Sequence, residues 1–100
     1  MFAHYILNGH TVVVEPDVIK WASWFEAANR TVRRGAVGDC EVSTVFLGLD
    51  HSFGGSTPLL FETMVFGGTL DGEQDRCSTW DEAEQMHEAM IVRITARSCL

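Results

Sequence analysis

Between Val42 and Met90, two long apolar runs surround a glycine-containing connection and lead into a capped amphipathic segment, and this block constrains the fold more than any other part of the chain. Residues Glu41 to Leu49 carry Val42, Thr44, Val45, Phe46 and Leu47, and residues Leu59 to Phe66 carry Leu59, Leu60, Phe61, Val65 and Phe66. β-branched and aromatic side chains at this density suit a pleated, half-buried surface, so both runs read as central strands. Asp50 to Pro58, with Ser52, Gly54, Gly55, Ser56 and Thr57, is too long for a tight turn and reads as an irregular loop between antiparallel neighbours. Gly67-Gly68 ends the second run, and Glu73 to Cys77 has the length of a short edge strand. Thr79-x-x-Glu82 is a capping box that starts a helix. Trp80, Ala83, His87, Met90, Ile91 and Ile94 form its inward stripe, with Asp81, Glu84, Gln85 and Glu88 outward.

Upstream, Tyr5-Ile6-Leu7 and His10 to Val14 flank Asn8-Gly9, a pair suited to a type I′ hairpin turn. Glu15-Pro16-Asp17 stops the second strand and starts a helix, because proline at the first helical position loses no needed N–H and acids there favour the positive helix end. Val18, Trp21, Ala22, Phe25 and Ala28 share one face of that helix, which is expected to lay Trp21 and Phe25 on a sheet, with Trp24 off the stripe, either a flank of the packing face, which is favoured, or an exposed anchor for a partner. The helix is expected to end between Asn29 and Arg34, where Arg30, Arg33 and Arg34 complement its negative end and Gly35 breaks the run. The expected element order is ββαββα with one possible further edge strand. That is an α+β two-layer sandwich, a mostly antiparallel sheet of about four to five strands with two helices on one face.

The 100 residues are expected to form a single domain, 1–100, with a disordered tail from about residue 95. No apolar stretch approaches the roughly 20 residues of a membrane helix, and the segment MFAHYILNGH lacks the basic and apolar regions of a secretory signal. A cytoplasmic location and no membrane partner are therefore expected. Cys40, Cys77 and Cys99 fit no C-x-x-C spacing and read as reduced structural thiols.

Fourteen acidic residues against seven basic ones give a net charge of −7, which argues against direct binding of nucleic-acid phosphates. Half of the acids, Asp71, Glu73, Asp75, Asp81, Glu82, Glu84 and Glu88, fall within eighteen residues. They make a candidate partner-binding face, attractive to a basic groove on another protein and able to imitate the phosphate surface of DNA. An ordinary solvated helix face would carry the same composition.

Candidate chemistry is sparse. Asp50 and His51, at a strand end beside the glycine-containing loop and Phe53, could serve as an acid/base pair. The bland alternative is a turn-capping Asp50 and a surface His51. With Glu62 and His87 they could also assemble a metal or hydrolytic site, but no spacing such as H-E-x-x-H supports one, and a core or rim position for His87 is favoured. Neither a Walker A nor a dinucleotide fingerprint occurs, so no cofactor and no metal is expected. Glu62 lies in an apolar strand with Leu60, Met64 and Phe66 on its side, a face expected to be covered by a helix or by a partner.

The segments HYILNGHTVVV, WASWFEAANRTV, VGDCEVSTVFLGLDHSFGG, PLLFETMVFGG and STWDEAEQMHEAM resemble a family of small uncharacterised proteins encoded in bacteriophage and prophage genomes. The resemblance spans most of residues 4 to 90. It departs where other members carry tyrosines, near Glu73 and Cys77 of this chain. It implies a phage accessory protein made inside a bacterium and carries no activity with it. Joined to the charge, it suggests a non-enzymatic protein that binds a host or phage protein, such as a basic nucleic-acid-binding factor of an anti-CRISPR or anti-restriction target. The alternatives are a small metal-dependent or acid/base enzyme built on Asp50 and His51, and a homo-oligomeric virion or structural protein, for which a homodimer is the simplest form.

Overall fold

A computed structural model describes residues 3–52, 55 and 57–97. Among these, the chain order is β1 (Tyr5–Asn8), β2 (Thr11–Val14), α1 (Val18–Ala27), β3 (Thr31–Val37), β4 (Cys40–Phe46), β5 (Phe61–Phe66), β6 (Gln74–Cys77) and α2 (Trp80–Ala96). The architecture is α+β, with strands β3-β4-β5-β6 in one antiparallel sheet and β1-β2 in a separate hairpin.

The hairpin forms one residue out of the expected register. Asn8 pairs with Thr11, so Gly9 and His10 make the turn, and Gly9 takes the positive φ of 62° that its first position demands. This lifts His10 out of the strand and stacks its ring on Trp80, with centroids 3.8 Å apart.

Asp17, not Pro16, begins α1: its carboxylate accepts from the amides of Ile19 and Lys20. The helix stops at Ala27, several residues before the arginines that were expected to end it. Thr31 to Val37 form β3 instead, because β-branched Thr31 and Val32 start a seven-residue strand that closes on β4 through Gly38 and Asp39. Arg30 locks the junction, since the Phe46 amide donates to its carbonyl and its guanidinium donates back to the Phe46 carbonyl. The same guanidinium lies 3.8 Å from the Phe25 ring centroid, a cation–π contact.

No residue of α1 is buried. Trp21 packs on Phe25 and His4, and its indole N–H donates to the Tyr5 carbonyl, so this side of the helix covers the hairpin strand β1 and not the large sheet. Trp24, off the main stripe and read as a flank of the packing face in preference to an exposed anchor, does reach the core, edge-on to Phe46 at 5.8 Å.

The second helix follows the expected pattern closely. Thr79 and Glu82 make the reciprocal capping box, and Ala83, His87, Met90 and Ile94 are buried. The helix runs through Ala96 with Arg97 as its C-cap, so the expected tail is ordered from 95 to 97, and residues 98–100 lie outside the described residues. It covers the sheet face formed by Cys40, Val42, Thr44 and Phe46 of β4 and Phe61, Thr63 and Val65 of β5. Two apolar clusters result. Cys40, Val42, Val65, Met90 and Ile94 make one, and Phe46, Leu60, Phe61 and Ala83 make the other. Cys40 is disulfide-bonded, which corrects the expectation of three reduced thiols, while Cys77 is free.

On the opposite sheet face, the covering helix that was one of two expectations is absent from the described residues. Leu60 does not belong to that face, being buried in the second cluster, while Met64 is half-buried and Phe66 exposed. Cross-strand ion pairs make the face more polar than its strand sequence suggests: Glu62 faces Arg76 directly in register at 3.0 Å, and Arg34 binds Glu41 at 2.7 Å. No helix among the described residues is long and apolar enough to cross a membrane.

Candidate functional site

The Asp50 carboxylate holds the start of the long β4–β5 connection. It accepts from the Ser52 amide at 2.7 Å, the Ser52 hydroxyl at 2.9 Å and the Leu59 amide at 3.0 Å. These backbone bonds, above all that from Ser52, hold its pKa below the ordinary carboxylate value, so Asp50 is a poor proton acceptor near neutral pH. His51 directs Nδ1 at the Leu49 carbonyl, 2.9 Å away, and since a carbonyl only accepts, that nitrogen carries the proton. A base working through Nδ1 is therefore not assembled here. Phe53, the third loop candidate, lies outside the described residues.

His87 stands in the other grouping with catalytic resemblance. Its Nδ1 lies 2.7 Å from Thr44 Oγ1, which lies 2.5 Å from Thr63 Oγ1, the distances of a hydroxyl nucleophile and its base. Burial removes that reading: Thr44 and Thr63 are 0% exposed and His87 is 1% exposed, so no substrate reaches the hydroxyls. Burial also pushes the His87 pKa below its usual value, helped by Arg33 and opposed by Glu88. Asp50, His51, Glu62 and His87 do not converge. Among the described residues, no group of three or more His, Cys, Asp or Glu side chains could hold a metal ion.

Most of the seven acids proposed as a partner-binding face have internal partners. Asp71 accepts from the Gly67 amide at 2.6 Å and shapes the β5–β6 turn. Arg93 of α2 bridges to Glu73 at 3.5 Å and to Asp75 at 2.9 Å, tying the last helix to the edge strand. Glu82 serves the capping box, and Glu88 pairs with Arg33 of β3 at 2.6 Å. Asp81 and Glu84 are exposed on α2 and enter no ion pair among the described residues. The unneutralised part of the acidic face is thus concentrated on the first turns of α2.

An apolar surface that sequence patterning did not single out lies elsewhere, at the β2–α1 junction. Val14 is 54% exposed, Val18 52% and Ile19 76%, with Val13 adjoining. Only part of the signal was present in the spacing. Val12, Val13 and Val14 run consecutively along a strand whose faces alternate, so Val13 must face away from the side on which Val12 packs against the core, whereas the exposure of Val14, on the side of Val12, does not follow from alternation. Val18, expected to share the packing face of Trp21 and Phe25, is instead half-exposed at the first position of α1, while Ile19 points off that face. The acids Glu15 and Asp17 lie between Val14 and Val18 in the chain, and their carboxylates accept from the amides of the helix start.

No family model matches the chain, and neither a curated protein nor a solved structure matches it.

Proposed function

We propose that this chain is a non-enzymatic protein that acts by binding another protein, with Val14, Val18 and Ile19 as the apolar centre of the contact and acidic side chains steering the approach. The observation that carries the reading is the exposure of these three aliphatic side chains, close in sequence at the β2–α1 junction, at 54%, 52% and 76%. Completing their burial would contribute on the order of 3 kcal/mol, a useful fraction of a micromolar interface. The net charge of −7, with Asp81 and Glu84 in no ion pair among the described residues, favours a partner presenting a basic rim and speeds encounter with it. What stands against an enzyme is that Asp50 and His87, the groups best placed for acid/base work, are held in internal hydrogen bonds.

A narrower version makes the chain a phage accessory protein in the bacterial cytoplasm that blocks a basic, nucleic-acid-binding host factor, including a CRISPR or restriction complex. Its support is the charge together with the resemblance of the VSTVFLGLDH and PLLFETMVFGG blocks to phage-encoded proteins. The test is capture of partners from bacterial lysate by the tagged wild type, by Val18→Asp/Ile19→Glu and by Asp81→Asn/Glu84→Gln. Loss of a discrete partner in the first variant supports the apolar contact, and loss only in the second moves the contact to α2. A defined multimer of the chain with nothing else bound replaces the reading with self-assembly.

A further inference from the structure

The Thr63, Thr44 and His87 side chains form a hydrogen-bond chain, and one of its two directions places both hydroxyl protons. A neutral imidazole with its proton on Nε2 accepts at Nδ1 from the Thr44 hydroxyl, and Thr44 Oγ1 in turn accepts from the Thr63 hydroxyl. Every hydroxyl proton in the chain is then used. Reversing the direction leaves the Thr63 hydroxyl proton with no acceptor among the described residues. The chain joins three elements, since Thr44 is on β4, Thr63 is paired with it on β5, and His87 descends from α2. It also sits at the division between the two apolar clusters, for the Thr44–Thr63 pair separates Val42–Val65 from Phe46–Phe61, and His87 separates Ala83 from Met90.

We propose that this chain is an acid-operated latch: with His87 neutral it holds α2 against β4 and β5, and proton uptake at Nδ1 inverts it and releases the helix from the sheet. On uptake, the Nδ1–H must donate to Thr44 Oγ1, the Thr44 hydroxyl turns to Thr63, and the Thr63 proton is stranded in a dry core. An unpartnered donor and a buried cation are created together.

The charged surroundings do not accommodate the cation. Arg33 of β3 repels it, and Glu88 on α2, which attracts it, is already paired with that arginine. Glu84 on α2 is exposed to water. On β4 and β5 the acids Glu41 and Glu62 occupy the opposite sheet face and bind Arg34 and Arg76. On β6, Asp75 is bound by Arg93, and the Cys77 thiol, with its pKa raised to about 11, stays neutral.

The sign follows from linkage. The unfolded chain takes up this proton near the ordinary histidine value of about 6.5 and the folded chain only at lower pH, so the latch contributes fully above that value and is lost as pH falls below it. The experiment is chemical denaturation between pH 7 and pH 5.5 of the wild type and of His87→Leu, which keeps His4, His10 and His51 as internal controls. The unfolding constant of the wild type should rise more than that of the variant over this range, by up to about tenfold. Parallel pH dependences would overturn the proposal. Should His87→Leu fail to fold, two-bond proton–nitrogen spectra of the wild type decide. His87 should show a bare Nδ1 and a protonated Nε2 at pH 7, and should become charged only as the α2 amides lose their native shifts. A Nδ1–H tautomer, or ordinary titration near pH 6.5 with α2 intact, would refute the latch.

Discussion

His87 Nδ1 lies 2.7 Å from Thr44 Oγ1 at the one level where the apolar contact between α2 and the sheet is interrupted by polar side chains among the described residues. Removing only Thr44 should therefore be worse than removing the whole network. Thr44→Val strands both the His87 nitrogen and the Thr63 hydroxyl, and should cost about 2 kcal/mol or more in urea unfolding. Thr44→Val/Thr63→Val/His87→Leu replaces every member with an apolar group of similar size and should recover most of that loss. A triple variant no more stable than Thr44→Val would show that the side chains act independently.

The attachment of α1 rests on Trp24 and not on its most apolar residues. Trp24→Ala empties the site beside Phe46 and should cost about 2 to 3 kcal/mol, while Ile19→Ser should change stability by less than about 0.5 kcal/mol. Native-state hydrogen exchange should find the α1 amides less protected than those of β4, β5 and the middle of α2, because α1 buries no residue.

Cys77 is a free thiol whose pKa is pushed up to about 11, first by burial and then by the Glu82 carboxylate. Its thiolate fraction at pH 8 is about 100-fold below that of an ordinary cysteine, so labelling by a thiol reagent should be slower by roughly that factor in the folded chain and rise on denaturation. Glu82→Gln should leave most of the retardation in place, since burial is the larger cause. Rapid native labelling would contradict the placement of Cys77.

Thr79→Ala removes the acceptor for the Glu82 amide, and should lower stability by about 1 kcal/mol without altering the core. Helix-start amides in α2 should lose protection first. The same variant should leave capture of a partner intact, because Glu82 is engaged with the cap and is not part of the apolar contact.

What was legible in the sequence was chiefly what is local. The capping box at Thr79 and Glu82, the four-residue buried stripe of α2 and the short edge strand β6 depend on neighbouring residues, and all are found in the fold. β3 was hidden because three arginines and Gly35 resemble a helix end, whereas its strand state is settled by pairing with β4. The core position of Trp24 was legible as a flank of the helical stripe, but its partner Phe46 was not, because the stripe was read against a sheet while Trp21 packs beside the hairpin. The acidic cluster was visible as charge, but the arginines that neutralise Glu73, Asp75 and Glu88 come from β3 and the end of α2, and only the tertiary fold brings them together. The Thr44–Thr63–His87 chain was invisible for the same reason, since a threonine in a strand carries no mark of what will face it.

The most direct measurement is paired capture from bacterial lysate with wild type and Val18→Asp/Ile19→Glu, after circular dichroism has shown both to be folded. The account predicts a discrete partner, rich in basic residues and retained better at low than at high salt, that the double variant fails to hold. Equal capture by both forms, or no partner for either, would contradict a binding function centred on Val14, Val18 and Ile19.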